Sequence, residues 1–96
     1  MKLLTLIYDS SIEASMAELL DALELPGLTR IYDVLGRGGR GLKMNNAVFP
    51  GTNNMVLAVL PDGEAARVHR AVRRLQGSFR LKPGVTILAQ DVEELP

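Results

Sequence analysis

Glycine and basic residues lie together in the segment Gly36–Lys43, whose sequence is Gly-Arg-Gly-Gly-Arg-Gly-Leu-Lys. Glycine lets a backbone approach a ligand closely, and Arg37, Arg40 and Lys43 add positive charge with no acidic residue between them. This combination favours an anion or an acidic protein surface as a partner. The segment lacks the Gly-Lys-Ser/Thr ending of a P-loop and the spacing of a dinucleotide-binding motif, so it indicates no specific nucleotide fold. A solvated hairpin loop is the alternative interpretation.

The chain after this segment is rich in amide side chains that could bind a ligand. These are Asn45, Asn46, Asn53 and Asn54. Asparagine is equally suited to turns, where it tolerates left-handed geometry, and we predict the turn role for all of them. Phe49 is expected to anchor the loop's return limb on the body, with Pro50–Gly51 turning the chain into the next strand.

A second basic cluster recurs at helical spacing and consists of Arg67, Arg70, Arg73 and Arg74. RNA-recognition modules stack bases on aromatic residues of their sheet, and here only Tyr8 and Tyr32 fall in predicted strands. We therefore interpret the arginines as a solvated helix face. His69 is the sole histidine and has neither a nucleophile nor further ligands at a suitable spacing. The sequence indicates no catalytic residue, no metal site and no particular cofactor.

Composition limits the remaining possibilities. The 96 residues, 47% of them apolar, suit a single domain over 1–96. The sequence has no cysteine, which excludes a disulfide framework and a thiol nucleophile and is compatible with a cytoplasmic protein. The apolar run 2–8 is too short to span a bilayer. Net charge is zero, but acidic residues dominate 1–27 and basic residues dominate 28–82, which predicts a dipolar surface.

The first half of the chain predicts a strand over 2–8, a helix and a second strand over 28–35. Ser10 and Glu13 form a capping-box signature at the start of the helix, and Pro26–Gly27 is expected to end it.

The second half predicts a strand over 54–60, a helix with Asp62 as its N-cap and Gly77 as its C-cap, and a last strand over 85–90. The loop between the second and third strands, about 37–52, is expected to have no secondary structure of its own. This order gives an α+β, ferredoxin-like βαββαβ fold, with a four-stranded antiparallel sheet and two helices on one face. The uncovered face would be apolar, which predicts a homo-oligomer.

Three segments carry a resemblance to a known family: Pro26–Thr29, Leu35–Gly38 and Val48–Asn54. Together with the element order, they resemble the PII-like superfamily of nitrogen-regulatory signalling proteins. The resemblance implies a homotrimer that is a regulator and not an enzyme. It also implies that a small effector, often an adenine nucleotide, binds in clefts between subunits near the base of the loop. The positions that correspond to this effector site are Thr29, Gly36, Arg37 and Gly38.

In this family the loop contacts a protein partner, often a membrane transporter. The candidate residues for that contact here are Arg40, Lys43, Asn45, Asn46 and Phe49. The chain has only Phe79–Gly84 where nitrogen-regulatory members have a second glycine-rich segment, and its loop contains no tyrosine. It is therefore more similar to the divergent PII-like proteins, whose effectors vary.

Two alternatives stay open at this stage. One is a metal-responsive protein similar to the CutA divalent-cation tolerance family. The other is a nucleic-acid-binding module that uses the arginine-rich second helix. The leading expectation is a cytoplasmic regulator with no nucleic-acid partner and no membrane insertion, in which an effector orders or releases the loop.

Overall fold

The computed structural model describes residues 1–38, 41–43 and 51–96, and it describes only the backbone of Gly38, Gly41 and Leu42. Its strands and helices are β1 (Lys2–Asp9), α1 (Glu13–Ala22), β2 (Thr29–Val34), β3 (Gly36–Gly38), β4 (Gly41–Lys43), β5 (Asn53–Leu60), α2 (Asp62–Ser78) and β6 (Val85–Asp91). A 3-10 turn, Ser10–Ile12, joins β1 to α1.

Four strands form one antiparallel sheet in the order β2-β5-β1-β6. In its centre Leu6 of β1 is paired with Val56 of β5 on one side and with Ile87 of β6 on the other. The strands β2 and β5, which flank the loop, are antiparallel neighbours, as a hairpin requires. The predicted ferredoxin-like α+β fold is therefore confirmed.

Alternation along β1 decides which sheet face carries the helices. Leu4, Leu6 and Tyr8 are buried, because alternate residues of a strand point to the same side. The helices contribute Met16, Leu20, Val68 and Val72 to the same core. Two amphipathic helices and one sheet face thus form the single hydrophobic core of the described chain.

The opposite face of the sheet is apolar and accessible. It carries Met55, Leu57 and Val59 of β5, which alternate with the buried residues of that strand. Val59 is 38% exposed, and Ile31 of β2 and Leu88 of β6 are 40% and 52% exposed. A continuous apolar surface of this kind is characteristic of a protein–protein interface.

The first helix begins differently from the capping-box prediction, which is wrong. The Asp9 carboxylate, and not the Ser10 hydroxyl, caps the turn by accepting the Ser11 N–H at 2.9 Å. Asp9 takes this role because it leaves β1 in an extended conformation, directly ahead of the first turn. The Glu13 side chain is consequently turned toward the sheet instead of capping.

The predicted helix ends also need correction. The helix α1 ends at Ala22, before Pro26–Gly27, and Glu24 then adopts a left-handed conformation with a φ of 52°. A left-handed residue just past a helix is a common way to end it. In α2, Asp62 is the first helical residue and Gly77 lies inside the helix.

The base of the loop contains a small antiparallel ribbon, so the expectation that 37–52 has no secondary structure is wrong there. In this ribbon β3 pairs with β4, and Gly36 lies opposite Lys43. The pairing relies on backbone groups and leaves no hydrophobic alternation in the sequence, which is why the glycine-rich pattern did not predict it.

Candidate functional site

The carboxylate of Glu13 lies at the centre of a hydrogen-bond network beneath the base of the loop. Its Oε2 accepts the Tyr8 hydroxyl and, at 3.0 Å, the Asn54 side-chain amide. Its Oε1 accepts Nη1 of Arg30 at 3.0 Å. These partners come from β1, β5 and β2, so one side chain from the start of α1 joins three strands of the sheet.

Partial burial affects two parts of this network, the ion pair between Arg30 and Glu13 and the hydroxyl group of Tyr8. The side chains of Arg30 and Glu13 are 18% and 26% exposed, so their ion pair is largely shielded from water. Burial raises the pKa of Tyr8 well above its ordinary value, and the neighbouring Glu13 carboxylate adds to this by accepting the phenolic proton. Tyr8 therefore remains a hydrogen-bond donor throughout the physiological pH range.

The Glu13 network continues to the point where the chain leaves β2. Asp33 has a φ of 60°, and the pairing of β2 with β5 shifts register between Ile31 and Val34. The Asp33 N–H donates to Oδ1 of Asn54 at 3.0 Å, and its carboxylate accepts the Thr52 hydroxyl at 3.1 Å. A left-handed non-glycine residue is strained, and these two bonds hold it in place.

Asn54 connects the two parts of the site. It is 3% exposed, its amide nitrogen donates to Glu13, and its amide oxygen accepts from Asp33. Asn53 and Asn54 are the first residues of β5, so the turn role predicted for these two is wrong. A buried amide that satisfies both its donor and its acceptor fixes the direction in which the chain enters the loop.

The ribbon is held to the body through Lys43. Its ammonium group lies 2.6 Å from Oδ2 of Asp9 and 2.8 Å from Oδ1 of Asn53. Burial opposes the charged form of Asp9, but hydrogen bonds from Lys43 and Ser11 outweigh it and lower the pKa of that carboxyl. Asp9 therefore remains an anion, and Lys43 remains bound to it, well into the acidic range.

The close approach of Asn53 explains the glycine at position 36. A Cβ built on Gly36 would lie 2.8 Å from Nδ2 of Asn53, closer than real Cβ contacts. The next residue, Arg37, is exposed on the ribbon. Glycine here allows close packing between the ribbon and β5. Arg37 pairs with Leu42, so it lies on the opposite face of the ribbon from Lys43.

The structure separates the residues of the predicted effector site. Gly36, Arg37 and the Gly38 backbone lie in β3, whereas Thr29 begins β2. Thr29 pairs with Leu57 and Val34 with Asn53, so the two ends of β2 lie about 13 Å apart along the sheet. The effector site therefore stays a prediction, and within one chain Thr29 lies at the opposite end of β2 from Gly36, Arg37 and Gly38.

Thr29 instead lies at an open cleft of about 710 Å³. The turn Pro26–Thr29 forms one side, Leu3 and Leu57 form an apolar floor, and Glu94 adds a carboxylate. The cleft is on the sheet face that the helices leave uncovered. Of the predicted partner-contact residues, Lys43 lies in β4, and Arg40, Asn45, Asn46 and Phe49 lie outside the described residues.

The arginine-rich helix is partly engaged within the fold. Arg67 donates to the backbone carbonyl of Leu23 at 2.8 Å and pairs with Glu64. Arg73 donates to the carbonyl of Val85 at 3.0 Å. Arg67 and Arg73 thus connect α2 to neighbouring elements, although Arg73 is exposed, as are Arg70 and Arg74.

Neither a metal site nor a membrane-spanning helix is found within residues 1–38, 41–43 and 51–96. No group of histidine, cysteine, aspartate and glutamate side chains suited to a metal ion occurs within these ranges, and His69 is exposed. Within the same ranges, no helix has the length and apolar character needed to cross a bilayer.

Comparisons with known proteins connect this fold to solved structures. Neither a protein-family model nor a curated protein sequence matches the chain. CPII from Thiomonas intermedia K12, a nitrogen regulatory PII-like protein, was solved bound to ADP and bicarbonate. That structure is similar with a TM-score of 0.68 and 18% identity, over 95% of this chain and 86% of CPII. The apo form of CPII gives 0.65 and 15%, over 95% and 89% of the two chains.

A PII-like signalling protein from Thermus thermophilus is similar with a TM-score of 0.63 and 22% identity, over 95% of this chain and 85% of that one. The similarity extends over nearly the entire length of each protein. The PII-like fold implied by the sequence resemblance is therefore confirmed.

Replacing Glu13 tests the network at the loop base. Glu13→Gln should lower the free energy of unfolding by about 1–3 kcal/mol, because the largely shielded Arg30 would lose its counter-charge. The measurement is urea unfolding at pH 7. The matched control is Glu18→Gln on the exposed side of α1, which should change the value by less than about 0.5 kcal/mol. Equal effects of the two substitutions would contradict the central position given to Glu13.

Proposed function

We propose that the chain is a divergent PII-like regulatory protein of the cytoplasm that assembles as a homotrimer. In this proposal a small anionic effector, with an adenine nucleotide as the first candidate, binds between subunits and controls a protein partner through the loop. A membrane transporter is the class of partner that the resemblance implies. The fold shared with CPII, which was solved with ADP and bicarbonate, supports this choice.

The observation that carries the proposal is the separation of the two candidate binding regions. In one chain the cleft at Thr29 and the ribbon at Arg37 lie at opposite ends of β2, about 13 Å apart along the sheet, so a small anion bound at Arg37 does not also contact Thr29. A neighbouring copy packed on the open sheet face would bring its own ribbon to the cleft of the first. The apolar surface formed by Leu57 and Ile31 provides the area for that contact.

The chemistry of the two regions is complementary. The cleft has an apolar floor with the Thr29 hydroxyl and the Glu94 carboxylate at its edge, which suits a flat ring that carries hydrogen-bond donors. The ribbon supplies the Arg37 guanidinium and closely approachable glycine backbone, which suit a phosphate or another anion. An adenine nucleotide has both parts in one molecule.

Regulation would follow from the position of the effector next to the loop. A ligand shifts a conformational equilibrium only by its difference in affinity for the conformers. An anion bound at Arg37 touches the ribbon that starts the loop, so it would favour the conformers in which the ribbon faces it. The partner would then distinguish the loaded protein from the empty one by the shape of the loop.

The oligomeric state is the first test. The wild-type chain should sediment as a trimer at micromolar concentration. Leu57→Asp should shift it toward the monomer, because the substitution places a charge in the middle of the apolar face. Leu81→Asp is the control, since Leu81 is 81% exposed and should leave the trimer intact. A wild-type monomer in analytical ultracentrifugation would contradict the intersubunit site.

Effector binding is the second test, measured by isothermal titration with ADP in the presence and absence of bicarbonate. Arg37→Ala should weaken ADP binding about tenfold or more, because it removes a charge-assisted hydrogen bond to phosphate. Arg70→Ala removes an exposed arginine from α2 and should leave affinity unchanged within about twofold. Binding that depends on Arg70 and not on Arg37 would contradict the proposed site.

A further inference from the structure

Exposed basic side chains gather at the end of the sheet from which the loop leaves, called here the loop end. The helix α2 starts where β5 finishes and returns to the loop end, where Arg73 donates to the carbonyl of Val85 at 3.0 Å. Residues 65–90 contain no aspartate or glutamate. The exposed bases that α2 and the turn after it bring to this end are Arg73, Arg74, Arg80 and Lys82.

The exposed acidic side chains are concentrated at the opposite end of the sheet. Arg67 donates to the carbonyl of Leu23, so the end of α1 and the start of α2 lie together there. The exposed acids of this opposite end are Asp21, Glu24, Asp62, Asp91, Glu93 and Glu94. Of the acids described at the loop end, Asp9 and Glu13 form ion pairs within the fold, and only Asp33 is exposed. The described chain is therefore basic at one end and acidic at the other.

An exposed leucine lies among the bases of the loop end. Leu81 is 81% exposed, more than any other large hydrophobic residue in the described ranges, and it stands between Arg80 and Lys82. The turn that carries it is anchored on both sides of the sheet edge. The Pro83 carbonyl accepts from the buried Gln76 at 2.8 Å, and the next carbonyl accepts the Asp9 N–H at 3.2 Å. The fold thus holds an apolar side chain out into solvent within a basic surface.

We propose that the loop end docks on an anionic lipid bilayer, with Leu81 in the headgroup region and Arg74 and Arg80 against the lipid headgroups. An apolar side chain surrounded by basic residues suits a bilayer surface, because the bases attract anionic lipids and the apolar group enters the acyl boundary. A nucleic acid would attract the same arginines through its phosphates, but it has no apolar layer for Leu81. The contact is peripheral and requires no membrane-spanning segment.

The separation of charge sets the orientation of the docked protein. The strand β5 runs from one end to the other with eight residues, about 27 Å. Charges in water are screened over about 8 Å at physiological salt. The acidic end is therefore too distant to be repelled by a bilayer at the loop end. Docking in this orientation turns the loop toward the membrane, which goes beyond the proposed function and requires no effector.

Cosedimentation with vesicles tests the part played by Leu81. Wild type should bind phosphatidylcholine vesicles that contain about 30% phosphatidylserine, and it should not bind pure phosphatidylcholine. Leu81→Ser should weaken binding about tenfold, because it removes the apolar contact without adding charge. The matched control is Leu95→Ser, since Leu95 is 75% exposed but follows β6 at the acidic end, and affinity should not change. Equal effects of the two substitutions, or no binding by wild type, would overturn the proposal.

Replacing Arg80 tests the part played by charge in the same assay. Arg80→Gln should weaken binding about fivefold, because a basic residue near an anionic bilayer contributes about that factor, whereas Arg80→Lys keeps the charge and should bind like wild type. Equal losses in the two variants would contradict an electrostatic contact. ADP affinity should be the same in both variants and in wild type, so a failure of the proposed effector site would leave this result standing.

Two further measurements separate a bilayer from other anionic partners. The sequence has no tryptophan, so Leu81→Trp introduces a single reporter, and its emission should shift to shorter wavelength with the anionic vesicles alone. An unshifted emission would overturn the placement of residue 81 in the headgroup region. Duplex DNA is titrated in parallel. Tighter binding to DNA than to vesicles, unchanged by Leu81→Ser, would assign the basic surface to nucleic acid and overturn the proposal.

Discussion

The carboxylate of Glu13 is the interaction on which the loop end of the molecule depends. It accepts hydrogen bonds from Tyr8, Arg30 and Asn54, and these residues belong to three different strands. A shielded carboxylate is stable only while its donors stay in place, so the network holds the ends of the strands in one arrangement. Asn54 in turn accepts a hydrogen bond from the Asp33 N–H, and the left-handed backbone of Asp33 directs the chain out of β2. The hydrophobic core shapes the sheet, and this polar layer determines how the chain enters and leaves the loop.

The same sheet imposes a second constraint, because it holds the two candidate ligand-binding regions of one chain apart. The cleft beside Thr29 and the ribbon that carries Arg37 lie at opposite ends of β2. The uncovered sheet face is apolar between them. Assembly through this face would therefore do two things at once, since it would bury the apolar surface and complete a binding site from two incomplete halves. On this account the protein would be unable to bind its effector as a monomer.

Much of the fold could be predicted from the sequence, because the strands and helices have strong hydrophobic periodicity. The polar site could not, and the reasons differ by residue. Glu13 satisfied a helix-capping pattern that Asp9 in fact fulfils, so its role across the sheet had no local signal. Asn54 was assigned to a turn because asparagine favours turns, whereas its burial depends on neighbours distant in the chain. The ribbon was missed because glycine pairs through its backbone. The resemblance supplied the candidate effector residues, but only the topology shows that Thr29 lies at the opposite end of β2 from the others.

The most direct measurement of the central claim mixes two defective variants, Thr29→Glu and Arg37→Ala, each of which should bind ADP weakly as a homotrimer. If every site takes Thr29 from one copy and Arg37 from the next, a mixed trimer contains one interface at which both residues are intact. After subunit exchange at equal concentrations, about a quarter of the sites should regain wild-type affinity in a calorimetric titration. If both residues serve the same site within one chain, no mixture restores any binding, and that result would contradict the intersubunit site.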